Sequence, residues 1–169
     1  MLDFNPNEVI NETYPDGSVY EGQKRDNLRH GKGTFYYSDG GMYTGDWIAG
    51  SMEGFGTLYY AGGSKAYEGE WKEDKFHGKG VVYNEVPAQL RGEFDFTNFD
   101  NVGNFWVKYE GWFINDNKEG SGTLILSNGE RFQGYFKDDM VSGRGMFYTL
   151  KGKVVKGEWW QNKLARQFM

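Results

Sequence analysis

Tyr67-Glu68-Gly69-Glu70-Trp71-Lys72-Glu73-Asp74-Lys75-Phe76-His77-Gly78-Lys79-Gly80-Val81-Val82-Tyr83 decides how the rest of this chain is to be read. The order is aromatic, Gly, aromatic, a polar turn, then His-Gly-x-Gly and a short apolar run. The same order recurs along almost the whole sequence. A repeat changes what each Gly and each aromatic means, so it comes before any local motif.

Measured from the Gly of the aromatic-x-Gly element, the copies start at Gly22, Gly45, Gly69, Gly92, Gly111, Gly134 and Gly157, spaced 23, 24, 23, 19, 23 and 23 residues apart. A second pair follows nine residues on: Gly31/Gly33, Gly54/Gly56, Gly78/Gly80, Gly120/Gly122 and Gly143/Gly145. In the fourth copy Asn101 takes the first of these places and Gly103 keeps the second. Six units and a terminal half-unit therefore fill residues 17–160, with the fourth unit degenerate over 90–106. Residues 1–16 read as a tail or cap broken by Pro6 and Pro15, and 161–169 as a C-terminal cap.

Within a unit, Tyr43, Gly45 and Trp47 alternate with Met42, Thr44 and Asp46, the period of a strand with two unlike faces. The second half of each unit is short and rich in β-formers, as in Thr57-Leu58-Tyr59-Tyr60, and turn signals such as Ser38-Asp39-Gly40-Gly41 stand between units. The prediction is an all-β chain: consecutive β-hairpins in an elongated, single-layer antiparallel sheet. About thirteen strands at roughly 4.8 Å spacing would extend it to about 60 Å. Each Gly leaves room for a neighbouring ring to lie over bare backbone. Trp160, Leu164 and Phe168, spaced by four, predict a short C-terminal helix over the last edge.

Composition agrees. The 169 residues include 26 Gly, where average usage of about 7% would give roughly 12. Aromatics make up 18%, too many for a disordered chain. The net charge of −5 argues against nucleic acid as a partner. There is no cysteine, hence neither disulfide nor thiolate metal site. The N-terminal residues lack the pattern of a signal peptide, and no apolar run approaches the ~20 residues of a spanning helix, so an intracellular location is expected.

These residues resemble the MORN family (membrane occupation and recognition nexus repeats), with unit Y-x-G-x-[WF]-x(4,6)-G-x-x-H-G-x-G. Tyr67–Gly80 fits it with Asp74 or Lys75 where Gly is usual. Tyr20–Gly33 has Lys24 at the aromatic place. Tyr43–Gly56, Tyr109–Gly122 and Phe132–Gly145 carry Glu53, Glu119 and Ser142 at the His place, and Leu90–Gly103 departs most. The resemblance implies the hairpin array. For function it implies a scaffold or adaptor binding protein partners in a larger assembly, of the cytoskeletal, ciliary or axonemal kind. A phospholipid-binding module is the alternative, disfavoured by the acidic charge.

No residue set points to catalysis, a metal or a cofactor. His30 and His77 share one repeat slot before a turn Gly, and Glu68, Glu70, Glu93, Glu110 and Glu158 read as a solvated strand face. Partner binding is expected on aromatics. In register these are Trp47, Trp71, Phe94, Phe113, Phe136 and Trp159; off register they are Phe99, Phe105, Trp106, Trp112, Tyr135 and Trp160. Self-association through the terminal strands is a further expectation.

Overall fold

The structure, a computed structural model, describes residue 5 and residues 8–169. The fold is all-β. Thirteen antiparallel strands follow one another in a sheet in chain order. They are β1 (Ile10–Thr13), β2 (Val19–Arg25), β3 (Leu28–Tyr36), β4 (Met42–Ile48), β5 (Ser51–Tyr59), β6 (Lys65–Lys72), β7 (Lys75–Tyr83), β8 (Trp106–Ile114), β9 (Asn117–Leu126), β10 (Arg131–Lys137), β11 (Met140–Tyr148), β12 (Val154–Trp160) and β13 (Lys163–Gln167). Two compact units divide the chain, residues 1–78 and 79–169.

In the first unit a row of glycines runs straight across the strands: Gly22 pairs with Gly33, Gly33 with Gly45, Gly45 with Gly56 and Gly56 with Gly69. The tyrosine two residues before each odd Gly folds its ring over this row. Its hydroxyl then reaches a backbone carbonyl, as Tyr20 does to Gln23 at 2.6 Å, Tyr43 to Asp46 at 2.8 Å and Tyr67 to Glu70 at 2.7 Å. The tryptophan on the far side of the Gly meets two such rings edge-on. Trp47 lies between Tyr20 and Tyr43, and Trp71 between Tyr43 and Tyr67, with centroids 5.0–5.6 Å apart. Trp47 and Trp71 also donate their indole N–H to Gly33 and Gly56 carbonyls, both at 3.0 Å. Glycine thus lets flat rings and backbone do the work of a second layer.

The second unit repeats the row as Gly111–Gly122–Gly134–Gly145–Gly157 and the ladder as Phe113, Tyr109, Phe136, Phe132 and Trp159. Here the fourth sequence unit does not form its expected hairpin. Residues 84–105 contain no strand and only a single 3-10 turn at Phe99–Val102. They run out across the aromatic face and back as a strap. On the way out, Leu90 N–H donates to Ser127 Oγ (2.8 Å) and Phe94 N–H to Glu130 Oε1 (2.7 Å). The far end reaches β13, where Leu164 N–H donates to the Thr97 carbonyl and Phe99 N–H to that of Asn162. The expected strand total of about thirteen is still met. β1 and β13 stand in for the two strands that the fourth unit fails to supply.

The two ends differ from expectation in different ways. Of residues 1–16, 1–4, 6 and 7 lie outside the described residues; Ile10–Thr13 pair with β2 as an edge strand. The expected C-terminal helix is absent. Gln161 and Asn162 take positive φ (47° and 72°) and turn the chain into the β12–β13 hairpin instead. A bulge between Glu158 and Trp159 then puts Leu164 beside Trp159 while Arg166 faces with Glu158.

The six hairpin loops within repeats (β2–β3, β4–β5, β6–β7, β8–β9, β10–β11 and β12–β13) are two residues long with positive φ at both, the conformation whose twist matches the strands. Asp and Asn hold the second place in five of them and Gly50 in the other. In three the side chain also ties one hairpin to the one before. Asp74, Asp139 and Asn162 accept from the N–H groups of Met52, Lys118 and Val141, each at 2.8 Å. Asp139→Ala should therefore cost about 1–2 kcal/mol in urea unfolding, from backbone strain plus the lost acceptor. Asp139→Gly should cost roughly 1 kcal/mol less, because it relieves the strain alone. Equal costs for the two would show that conformation plays no part.

Candidate functional site

The ring ladder is interior, not surface. Trp47, Trp71, Phe94, Phe99, Phe113, Phe136 and Trp159 are all buried: Trp47 and Trp71 by the ladder of the first unit, and Trp159 against Phe99 of the strap in the second. Burial pushes the Tyr20 hydroxyl up to about 12 and those of Tyr43 and Tyr109 higher still, which keeps all three protonated as donors. Phe105 and Trp106 are half-buried where the strap rejoins β8. Three of the expected aromatics face outward: Trp112 (47% exposed), Tyr135 (54%) and Trp160 (62%).

Trp112 and Tyr135 come together. On the face of the second unit opposite the ladder, Ser121 pairs with Tyr135, and Trp112 and Arg144 flank them across the bulged β8–β9 and β10–β11 pairs. Glu110, Thr123, Gln133, Met146 and Lys156 make the row beside them. Between and over them lies a groove of ≈ 630 Å³, floored by Gly111, Gly122, Gly134, Gly145 and Gly157. Lys79 and Phe168 complete its walls. Phe168 is held by its N–H to the Lys156 carbonyl (2.8 Å) and lies near the guanidinium groups of Arg144 and Arg166, 5.5 and 5.0 Å from its ring centre. Trp160 is not among the lining residues.

Comparison between repeats shows how unusual this grouping is. The residue after the odd Gly is Gln23 in the first copy and Asp46 in the second. Each bends back to accept a backbone N–H of the partner strand: Lys32 N–H to Gln23 Oε1 at 2.7 Å, and Phe55 N–H to Asp46 Oδ2 at 2.9 Å. Glu70 continues the series. Trp112 and Tyr135 occupy the same place; Trp112 has no side-chain oxygen, and that of Tyr135 stands at the far end of its ring, away from the backbone beside it. A structural acceptor has been given up, twice, for an exposed aromatic surface.

The histidine slot, by contrast, is structural. His30 Nδ1 accepts from Ala49 N–H (3.3 Å), and Glu119 Oε1 in the same slot accepts from Asp138 N–H (2.9 Å), each nineteen residues ahead in a hairpin loop. Nineteen residues beyond His77 stands Phe96, which belongs to the strap rather than to a loop. His77 Nδ1 is accordingly buried without a hydrogen-bond partner among the described residues. No cluster of three or more His, Cys, Asp or Glu among the described residues could hold a metal ion.

The sequence singled out Trp112 and Tyr135 but not Arg144, Gln133 or Phe168. Arg144 holds the place of Lys32 and Phe55 between paired glycines, so aligning the copies on that place would have found it. Phe168 carried no such signal, because its face depends on the bulge at Glu158/Trp159.

Segments 20–42, 43–65, 67–83 and 109–131 match the MORN repeat model, together just over half of the sequence. The chain belongs to the MORN repeat family, whose arrays are interaction modules for proteins or membranes. No curated protein matches the chain. The β10–β11 hairpin, beyond the matched segments from residue 132 on, keeps the Gly134–Gly145 pairing with Phe132 in place of Tyr.

Proposed function

We propose that this protein is a non-catalytic scaffold or adaptor that holds a protein partner in the glycine-floored groove of its second unit. A larger cytoskeletal or axonemal assembly is the setting that the family resemblance favours. The observation that carries this reading is the exchange of a backbone acceptor for Trp112 and Tyr135 in successive hairpins, with both rings left open to solvent over the groove. Large, stiff aromatics of this kind are the side chains most often found as binding hot spots.

The test is co-purification from the native source with wild-type bait and with W112A/Y135A. Both positions are exposed, so the double variant should melt with the wild type, within about 0.5 kcal/mol per site. A partner recovered with the wild type should fall about thirtyfold with the variant, as expected for hot-spot losses of about 2 kcal/mol. Equal recovery with both baits would place the interaction elsewhere on the chain.

A further inference from the structure

The proposal that follows rests on the groove reading above and narrows the class of partner. In a chain of net charge −5, the groove is locally basic. Its charged lining is Lys79, Arg144 and Lys156 against the single carboxylate of Glu110. Arg166 adds a further cation at the Phe168 end. Across the strand pair Arg144 stands opposite Glu158, yet neither Arg144, Lys156 nor Arg166 makes an ion pair among the described residues.

The equivalent surface of the first unit is an internal control. There Lys32, in the place of Arg144, is engaged by the Asp46 carboxylate. The residue in the place of Asp46 relative to Arg144 is Glu158, directly across the β11–β12 pair, yet it makes no ion pair with the guanidinium among the described residues. Tyr135, on the other side of Arg144, stands where Gln23 does beside Lys32, so an apolar wall opens next to a guanidinium that makes no ion pair among the described residues.

We propose that the groove takes an extended acidic polypeptide segment. The row spans β8 to β12, four strand spacings of roughly 4.8 Å, so about six extended residues fill it. An aromatic or aliphatic side chain sits over Ser121, between Trp112 and Tyr135. An Asp or Glu two or three places along meets Arg144, and a second reaches Lys156. Charge complementarity supplies steering and selectivity, and the rings supply the buried contact.

The experiment is selection of a random twelve-residue phage-displayed library on the full chain, followed by fluorescence polarisation of the selected synthetic peptides. Binding is measured to wild type, R144Q/K156Q, R144E/K156E and W112A/Y135A, at 50 and 300 mM salt. The expected winners are acidic with one large apolar residue, bind about tenfold or more weakly to both charge variants, and weaken with salt. Circular dichroism checks that each variant is folded, and the Gln pair keeps the test valid should the Glu pair misfold. Neutral or basic winners that lose binding only with W112A/Y135A would overturn the acidic assignment and leave the groove as the binding site. Winners indifferent to W112A/Y135A would overturn both. Salt-sensitive binding to phosphatidylserine vesicles, lost in R144Q/K156Q and unaccompanied by any peptide binding, would assign the cations to lipid and sink the proposal.

Discussion

Gly56→Ala is expected to be among the most damaging single methyls that can be added to the first unit. A Cβ built at Gly56 would lie 2.3 Å from Tyr43 Oη, 2.4 Å from its Cε2 and 2.5 Å from its Cζ. Tyr43 has no room to retreat. It is fully buried, its hydroxyl is tied to the Asp46 carbonyl, and Trp47 and Trp71 meet its ring edge-on at 5.1 and 5.2 Å. Overpacking of this kind costs about 1–3 kcal/mol, and the displaced ring forfeits a hydrogen bond of about 1 kcal/mol and two edge contacts of similar size. A total of about 3–5 kcal/mol lowers Tm by roughly 10 °C in a chain of this length. Gly63, with positive φ but nothing within 4 Å of its Cβ position, is the control, and Gly63→Asn should cost about 1 kcal/mol of backbone strain and no more, because no ring is displaced. In a Tyr43→Ala background the Gly56→Ala cost should shrink to a fraction of its value, because the clash has lost its partner. Calorimetry of the five proteins decides the matter: a Gly56→Ala melt within about 2 °C of wild type, or a cost untouched by Tyr43→Ala, would refute the ring-over-glycine account.

That account is also why the hairpins were legible while the sequence left the ring stripe open between self-packing over glycine and a docking groove. The alternation of Tyr43, Gly45 and Trp47 against Met42, Thr44 and Asp46 is a strand with unlike faces, whatever else is true. The same pattern does not say how far a ring tilts, and here bare glycine backbone draws each ring down until it is interior. The fourth unit misled for a related reason. Gly92 and Gly103 hold the phase, but glycines without a Tyr to fold over them, and with Pro87 just ahead, supply no reason to form a hairpin. At the C-terminus the spacing of Trp160, Leu164 and Phe168 looked helical because the turn between β12 and β13 is built from Gln161-Asn162. Neither residue is the Gly that usually marks a positive φ. The groove was legible to the extent that its residues break the repeat: Trp112 and Tyr135 do so visibly. Arg144 and Lys156 do not, because what sets them apart is that neither makes an ion pair among the described residues, and that is a matter of side-chain geometry.

Phe99→Ala tests the strap by the same logic of rings, and in the second unit alone. Phe99 is buried beneath the 3-10 turn, with its ring 5.1 Å from Phe132, 5.3 Å from Phe94, and 6.1 Å from both Phe147 and Trp159. It therefore fastens the strap to three neighbouring strands, β10, β11 and β12. Removing so enclosed a ring costs about 3–5 kcal/mol. The backbone bonds of the strap are sequential links, so loosening its centre should free the remainder out to β13. Hydrogen exchange should accelerate at Phe94, Phe99 and Leu164, whose N–H groups reach Glu130, Asn162 and Thr97, and at the Trp159 indole N–H, which donates to the Phe96 carbonyl at 2.8 Å. Trp159 emission should shift to the red as water reaches it. Protection in β2 to β5, held by its own ladder of tyrosines and tryptophans, should stay as it is. Uniform acceleration across both units would instead mean that the strap has no opening of its own, and that the aromatic face it covers is sealed until the whole chain unfolds.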